Sequence, residues 1–207
     1  MSEILYTTID SDSTFELEEK RSIFIGYASN VSTEEDAKAF IQKIKAKHHD
    51  ARHNCSAFIL RNGVMRYSDD GEPQGTAGIP MLEVLKKSGL VDVVVVVTRY
   101  FGGILLGAGG LVRAYSSACA GAITEAEKAD YQKCTLFCMN VEYPIYDKLS
   151  RHLSTMGVRV INTEYNDRIT LEAVIPSDEY DNFVGVTIDT FSGKLSVDYI
   201  DEIIEKI

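Results

Sequence analysis

The chain has 207 residues, 45% apolar and 25% charged, proportions that supply packed cores and argue against wholesale disorder. That length suits one large or two small domains, and two are expected. The formal charge is −10, and the acidic excess runs through both halves, so the composition argues against a broadly basic face and against bulk DNA binding by phosphate neutralisation.

The N-terminal stretch has no basic segment followed by an apolar one, so no secretory signal is expected. The longest apolar run, Val91 to Val97 with Asp92 inside it, is far shorter than the roughly 20 residues a membrane helix needs. A cytoplasmic protein with no membrane association is the expectation. Phe15–Glu19 and Ser22–Ala28 then read as two strands, or one bent strand, around Lys20 and Arg21. A helix follows, with Ser32 and Glu35 at capping-box spacing and Ala37, Phe40, Ile41 and Ile44 on one face. His53–Leu60 reads as a strand, Arg61-Asn62-Gly63 as a turn and Val64–Tyr67 as the return strand.

Beyond an acidic, glycine-rich turn from Ser68 to Pro80 comes a helix near Pro80–Lys87, closed by Gly89. Five consecutive valines, Val93–Val97, predict a central strand buried on both faces. Gly107–Glu127 is long, alanine-rich and helical in period. The pattern resets near residue 131. From there Thr135–Val141, Pro144–Met156, Arg159–Glu164, Arg168–Ala173, Ser177–Phe191 and Lys194–Tyr199 run strand, helix, strand, strand, helix, strand, the order of a ferredoxin-like plait. The expected fold class is α+β with domains over 1–130 and 131–207.

The chemistry-bearing residues concentrate in two stretches. Gly102, Gly103, Gly107, Gly109 and Gly110 lie between the valine strand and a helix, where free N–H groups and the helix dipole favour an anion; tight turning and close packing explain the same glycines. Neither a P-loop lysine nor a dinucleotide fingerprint accompanies them. Arg99 and Arg113 could flank such an anion, with Asp69, Asp70 and Glu72 as partners for Arg99, in a salt bridge or a recognition site. The turn lacks the alternating oxygen ligands of a calcium loop, so no metal is expected. His53 and Cys55 share a strand face, but no cysteine motif supports a nucleophile. Cys55, Cys119, Cys134 and Cys138 read as reduced thiols packed as small hydrophobes.

Together KRSIFIGYA, RHNCSAF, YSDDGEPQGTAGIPML and VVVVTRYFGGILLGAGGLVRAY resemble the Impact family, and with the second domain the chain resembles its bacterial YigZ branch. The resemblance implies an N-terminal two-layer domain with the fold shared by a ribosomal small-subunit protein, domain IV of elongation factor G and the GHMP-type kinases. It implies a C-terminal plait similar to domain V of that factor. Eukaryotic relatives regulate translation by competing for a scaffold protein and carry a further RWD-type domain; no such domain is expected here, so that role is not expected to transfer. The family's characteristic surface maps onto Asp69, Asp70, Gly71, Glu72, Pro73, Gly75, Thr76 and Gly78 of the acidic turn. It continues on Arg99, Tyr100, Gly102, Gly103, Gly107, Gly109 and Arg113. The expectation is a translation-linked binding protein contacting the ribosome, structured RNA or a translation-associated protein, with no cofactor and no catalytic residue. The alternative is an enzyme or binder of a phosphorylated small molecule at Gly107–Gly110.

Overall fold

The computed structural model describes residues 3–206, which separate into two compact units, Tyr6–Asp130 and the segment from Tyr131 onward joined by the residues up to Leu5. The architecture is α+β, with five helices and two antiparallel sheets among the described residues.

In the first unit the sheet order is β2 (Ser13–Glu19), β3 (Ser22–Asn30), β6 (Val93–Tyr100), β4 (His53–Ile59), β5 (Met65–Ser68). The valine strand is therefore central, and Val93 to Val97 are all fully buried, each side chain worth about 1.5–3 kcal/mol of apolar burial. Because side chains alternate along a strand, the valines serve two cores. Val93, Val95 and Val97 face α2 (Gly78–Ser88) and α3 (Gly107–Glu125), while Val94 and Val96 face α1 (Glu34–Lys47). The expected two-layer packing holds for α2 and α3, and α1 adds a layer on the other face.

Local chemistry explains the boundaries. Lys20 and Arg21 both take positive φ, 48° and 61°, as a tight hairpin requires, so β2 and β3 are two strands. Asn62-Gly63 lies in the β4–β5 connection, and Gly89 closes α2 in the left-handed conformation. The capping box of α1 lies one residue later than its spacing suggested. Thr33 Oγ1 accepts from the Asp36 amide at 3.0 Å, and Asp36 accepts from the Thr33 amide at 3.1 Å.

The second unit holds β7 (Lys128–Val141) from Tyr131 onward, then α4 (Tyr143–Thr155), β8 (Arg159–Tyr165), β9 (Ile169–Pro176), α5 (Tyr180–Thr190) and β10 (Val197–Lys206). Its antiparallel order, β10-β7-β9-β8, is that of the ferredoxin-like plait. β1 (Ile4–Ile9), which the sequence pattern did not single out, joins this sheet beside β7. Phe137, Met139, Leu149, Leu153, Leu171 and Phe183 form the core under the two helices. None of the described helices is long and apolar enough to cross a membrane.

Candidate functional site

The acidic turn is built around its own carboxylates. Asp70 and Gly71 both adopt positive φ (43° and 87°), and the Glu72 amide donates to the Asp69 carbonyl at 2.9 Å, so the chain reverses and three neighbouring carboxylates find separate partners. Asp69 accepts the amides of Gly75 (2.8 Å), Ala77 (3.1 Å) and Gly78 (2.8 Å). Ala77, at the head of α2, has no capping side chain of its own, so Asp69 caps that helix from upstream. Asp70 meets Lys45 of α1 at 2.6 Å and accepts the Asn54 amide at 2.7 Å.

Glu72, 8% exposed, is the carboxylate that partners Arg99. Its Oε1 lies 2.7 Å from Arg99 Nη1 and accepts the Tyr115 hydroxyl at 2.8 Å, joining the turn, the end of β6 and α3. Burial holds the Tyr115 phenol far above its ordinary pKa, so it stays a donor. Arg99 extends the stripe of Val93, Val95 and Val97 and is only 6% exposed. Its guanidinium lies 5.4 Å from the ring centres of both Phe24 and Phe101. Nη2 makes a long 3.5 Å contact with Ser22 Oγ, and the buried Nε has no hydrogen-bond partner among the described residues. Ser22 Oγ also accepts the Gly102 amide at 3.2 Å. A Cβ at Gly102 would sit 2.0 Å from the Arg21 backbone, so this approach demands glycine.

Tyr100 lies on the opposite, α1-facing side of the sheet. Its hydroxyl donates to Asp50 at 2.9 Å and meets His48 Nδ1 at 2.9 Å, while Tyr27 holds His48 Nε2 at 2.7 Å. Burial, helped by Lys47, pushes the His48 pKa down. The neutral ring suits a chain in which Tyr27 donates to Nε2 and Nδ1 donates to Tyr100.

The glycine-rich stretch contributes backbone and apolar surface. Phe101 is 49% and Leu105 83% exposed, with Ile104 beside them. α3 begins at Gly107 with no capping side chain and no acidic residue in its first turn. Gly71, Pro73, Gly103, Gly107, Gly109 and Arg113 are exposed; Thr76, Gly78 and Gly110 are buried, and Gly75 is half-buried. The structure thus gathers Glu72, Arg99 and Gly102, and directs Asp70 and Tyr100 to the α1 side.

Reactive groups are subdued at this site. Cys55 is fully buried, its thiol donates to the Asp69 carbonyl at 2.9 Å, and burial pushes its pKa up to about 12. His53 Nδ1 is held by the Asp70 carbonyl at 2.9 Å. Among the described residues no group of three or more His, Cys, Asp or Glu could hold a metal ion. Ser22, Lys45, Tyr27, His48, Asn54, Phe101 and Tyr115 belong to these networks without having been singled out as site residues. Tyr115 had a signal, since it shares the buried helical face of Leu111, Ala114 and Ala118 and its hydroxyl must find a partner there. A separate cavity of about 560 Å³ in the second unit is lined by Cys134, Arg159, Val174, Pro176 and Lys206, among others.

Residues 20–123 match the Impact N-terminal domain, and residues 139–194 match a domain of unknown function, DUF1949. The chain is 37% identical to the Bacillus subtilis IMPACT family member YvyE, covering 93% of this chain and 89% of that protein. It is 35% identical to the Escherichia coli IMPACT family member YigZ, covering 88% and 92%. A crystal structure described as that of a hypothetical protein superposes with a TM-score of 0.60 at 33% identity, covering 95% of this chain and 97% of the other.

Proposed function

The chain belongs to the Impact family, and from that premise we propose that it is a translation-linked binding protein contacting the ribosome, RNA or a ribosome-associated factor through the turn and glycine-loop surface. One observation carries this reading. The acidic turn spends its side chains internally, on a helix cap and two ion pairs, and leaves outside a loop with Phe101, Ile104 and Leu105 exposed next to an uncapped helix start. Such a surface suits a partner's contact area, because an apolar loop in water is a standing cost that association relieves. The groups described above include no activated nucleophile, which favours binding over catalysis.

The test is co-sedimentation of the purified protein with ribosomes at low salt, alongside mobility shifts of structured RNA. Binding in either assay that Leu105→Asp abolishes supports the reading, and absence of both sinks it. A second reading, a binder of a phosphorylated small molecule, draws on the free N–H groups at Gly107–Gly110. A thermal-shift screen of nucleotides and phosphometabolites tests it, since a ligand at about 100 times its Kd adds roughly 2.7 kcal/mol of stability.

A further inference from the structure

The guanidinium of Arg99 presents five N–H donors in a fixed planar fork. Glu72 engages Nη1, while the edge formed by Nε and Nη2 carries one long contact to Ser22 and one unpaired, buried donor. An orphaned donor on a buried charge is costly and calls for a physical reason. The rings of Phe24 and Phe101 both lie 5.4 Å from this group. Phe24 and Ser22 are fully buried and Glu72 nearly so, whereas Phe101 is half-exposed. Of these four neighbours, Phe101 is the one that meets solvent. Exposed side chains change rotamer within nanoseconds, and the backbone beneath the ring stays pinned by the Gly102 amide on Ser22.

Charge selects what fits. Glu72 already cancels Arg99, Asp69 and Asp70 lie in the same turn, and the whole chain carries −10, so a carboxylate or phosphate beside Glu72 meets repulsion. A neutral, flat ligand with two adjacent acceptors avoids that repulsion and can stack on an exposed aromatic ring. We propose that the Nε–Nη2 edge of Arg99, beneath Phe101, reads an unpaired guanine base of RNA, a proposal that rests on the RNA-contact reading above. Guanine offers O6 and N7 to a bidentate arginine, whereas adenine places an amino donor beside N7. Phe101, turned outward, supplies the stacking face that unpaired RNA bases use. Recognition of one base in an acidic protein also predicts weak dependence on salt, because few phosphates are neutralised.

The experiment measures fluorescence anisotropy of labelled oligouridines with one central guanosine or one central adenosine, against the wild-type chain, Phe101→Ala and Arg99→Lys. The guanosine oligomer binds the wild type about tenfold tighter than the adenosine one, the scale of one bidentate base contact. Phe101→Ala weakens guanosine binding about tenfold, as loss of a stacking ring does. Arg99→Lys keeps the charge for Glu72 but loses the fork and erases the preference; if that variant fails to fold, the Phe101→Ala arm decides. Equal affinity for the two oligomers, no binding to either, or indifference to Phe101→Ala overturns the proposal. Ribosome co-sedimentation that persists without a guanine preference overturns it while leaving the broader reading in place.

Discussion

Replacing Glu72 with alanine strips Arg99 of the counter-charge that its burial requires. Glu72 Oε1 is 2.7 Å from Arg99 Nη1 and 2.8 Å from the Tyr115 hydroxyl, with the two charged side chains only 3% and 7% exposed, so water cannot substitute. Removing one member of a buried pair costs about 3–5 kcal/mol, a large part of the 5–15 kcal/mol that holds a typical domain together. At roughly 2–4 °C per kcal/mol for a protein of this size, the midpoint falls by about 10 °C. Urea unfolding followed by circular dichroism measures the loss. The double variant Glu72→Gln with Arg99→Met, which replaces the pair by groups of similar volume, recovers much of it. A loss under about 1 kcal/mol in Glu72→Ala would refute the description of this pair as buried and mutually dependent.

Asp69→Ala removes the acceptor for the amides of Gly75, Ala77 and Gly78 and lowers stability by about 1–3 kcal/mol in the same assay, with Asp69→Asn losing less. His48 and His152 have folded-state pKa values pushed below the ordinary 6.5, first by burial and then by Lys47 and Lys148 respectively. Their contribution to stability is whole above pH 6.5 and is lost as the pH falls below it toward the lowered values, so the urea midpoint drops on acidification through that window and His48→Gln flattens the drop. Cys55 and Cys119, buried with thiols raised to about 12, resist iodoacetamide in the folded protein, while the partly exposed Cys138 is alkylated first; peptide mass spectrometry reads the order, and early labelling of Cys55 contradicts its burial.

The parts of the fold legible in the sequence are those where one physical demand dominates. Five valines in a row fit the central position that buries both faces, and Asn62-Gly63 between β-rich runs marks a hairpin whatever surrounds it. β1 escaped because Ile4–Ile9 earns its strand from β7, far away in the chain, and β7 itself starts at Lys128 in a polar stretch without its own apolar signal. The shift of the capping box from Ser32 to Thr33 turned on which hydroxyl faced a carboxylate three residues on, and aspartate served as well as glutamate.

At the candidate site, composition alone marked Asp69, Asp70, Glu72 and Arg99 as one charged neighbourhood. Which carboxylate takes the arginine depends on positive φ at Asp70 and Gly71, and that turn geometry is decided by packing beneath it, since a Cβ at Gly71 would press on the His53 ring at 3.3 Å. The Tyr27–His48–Tyr100 chain draws on three elements, β3, the end of α1 and β6, and has no local pattern to betray it.

Ribosome co-sedimentation at low salt, compared between the wild-type chain and Leu105→Asp with Arg168→Glu in the second unit as control, shows whether the exposed loop is the ribosome-contacting surface. Leu105 is 83% exposed, so its substitution leaves stability within about 0.5 kcal/mol and probes the surface alone. The wild type and the control are expected to pellet with ribosomes while Leu105→Asp remains in the supernatant. A wild-type chain that stays in the supernatant, or a Leu105→Asp chain that pellets as fully as the wild type, would contradict that assignment.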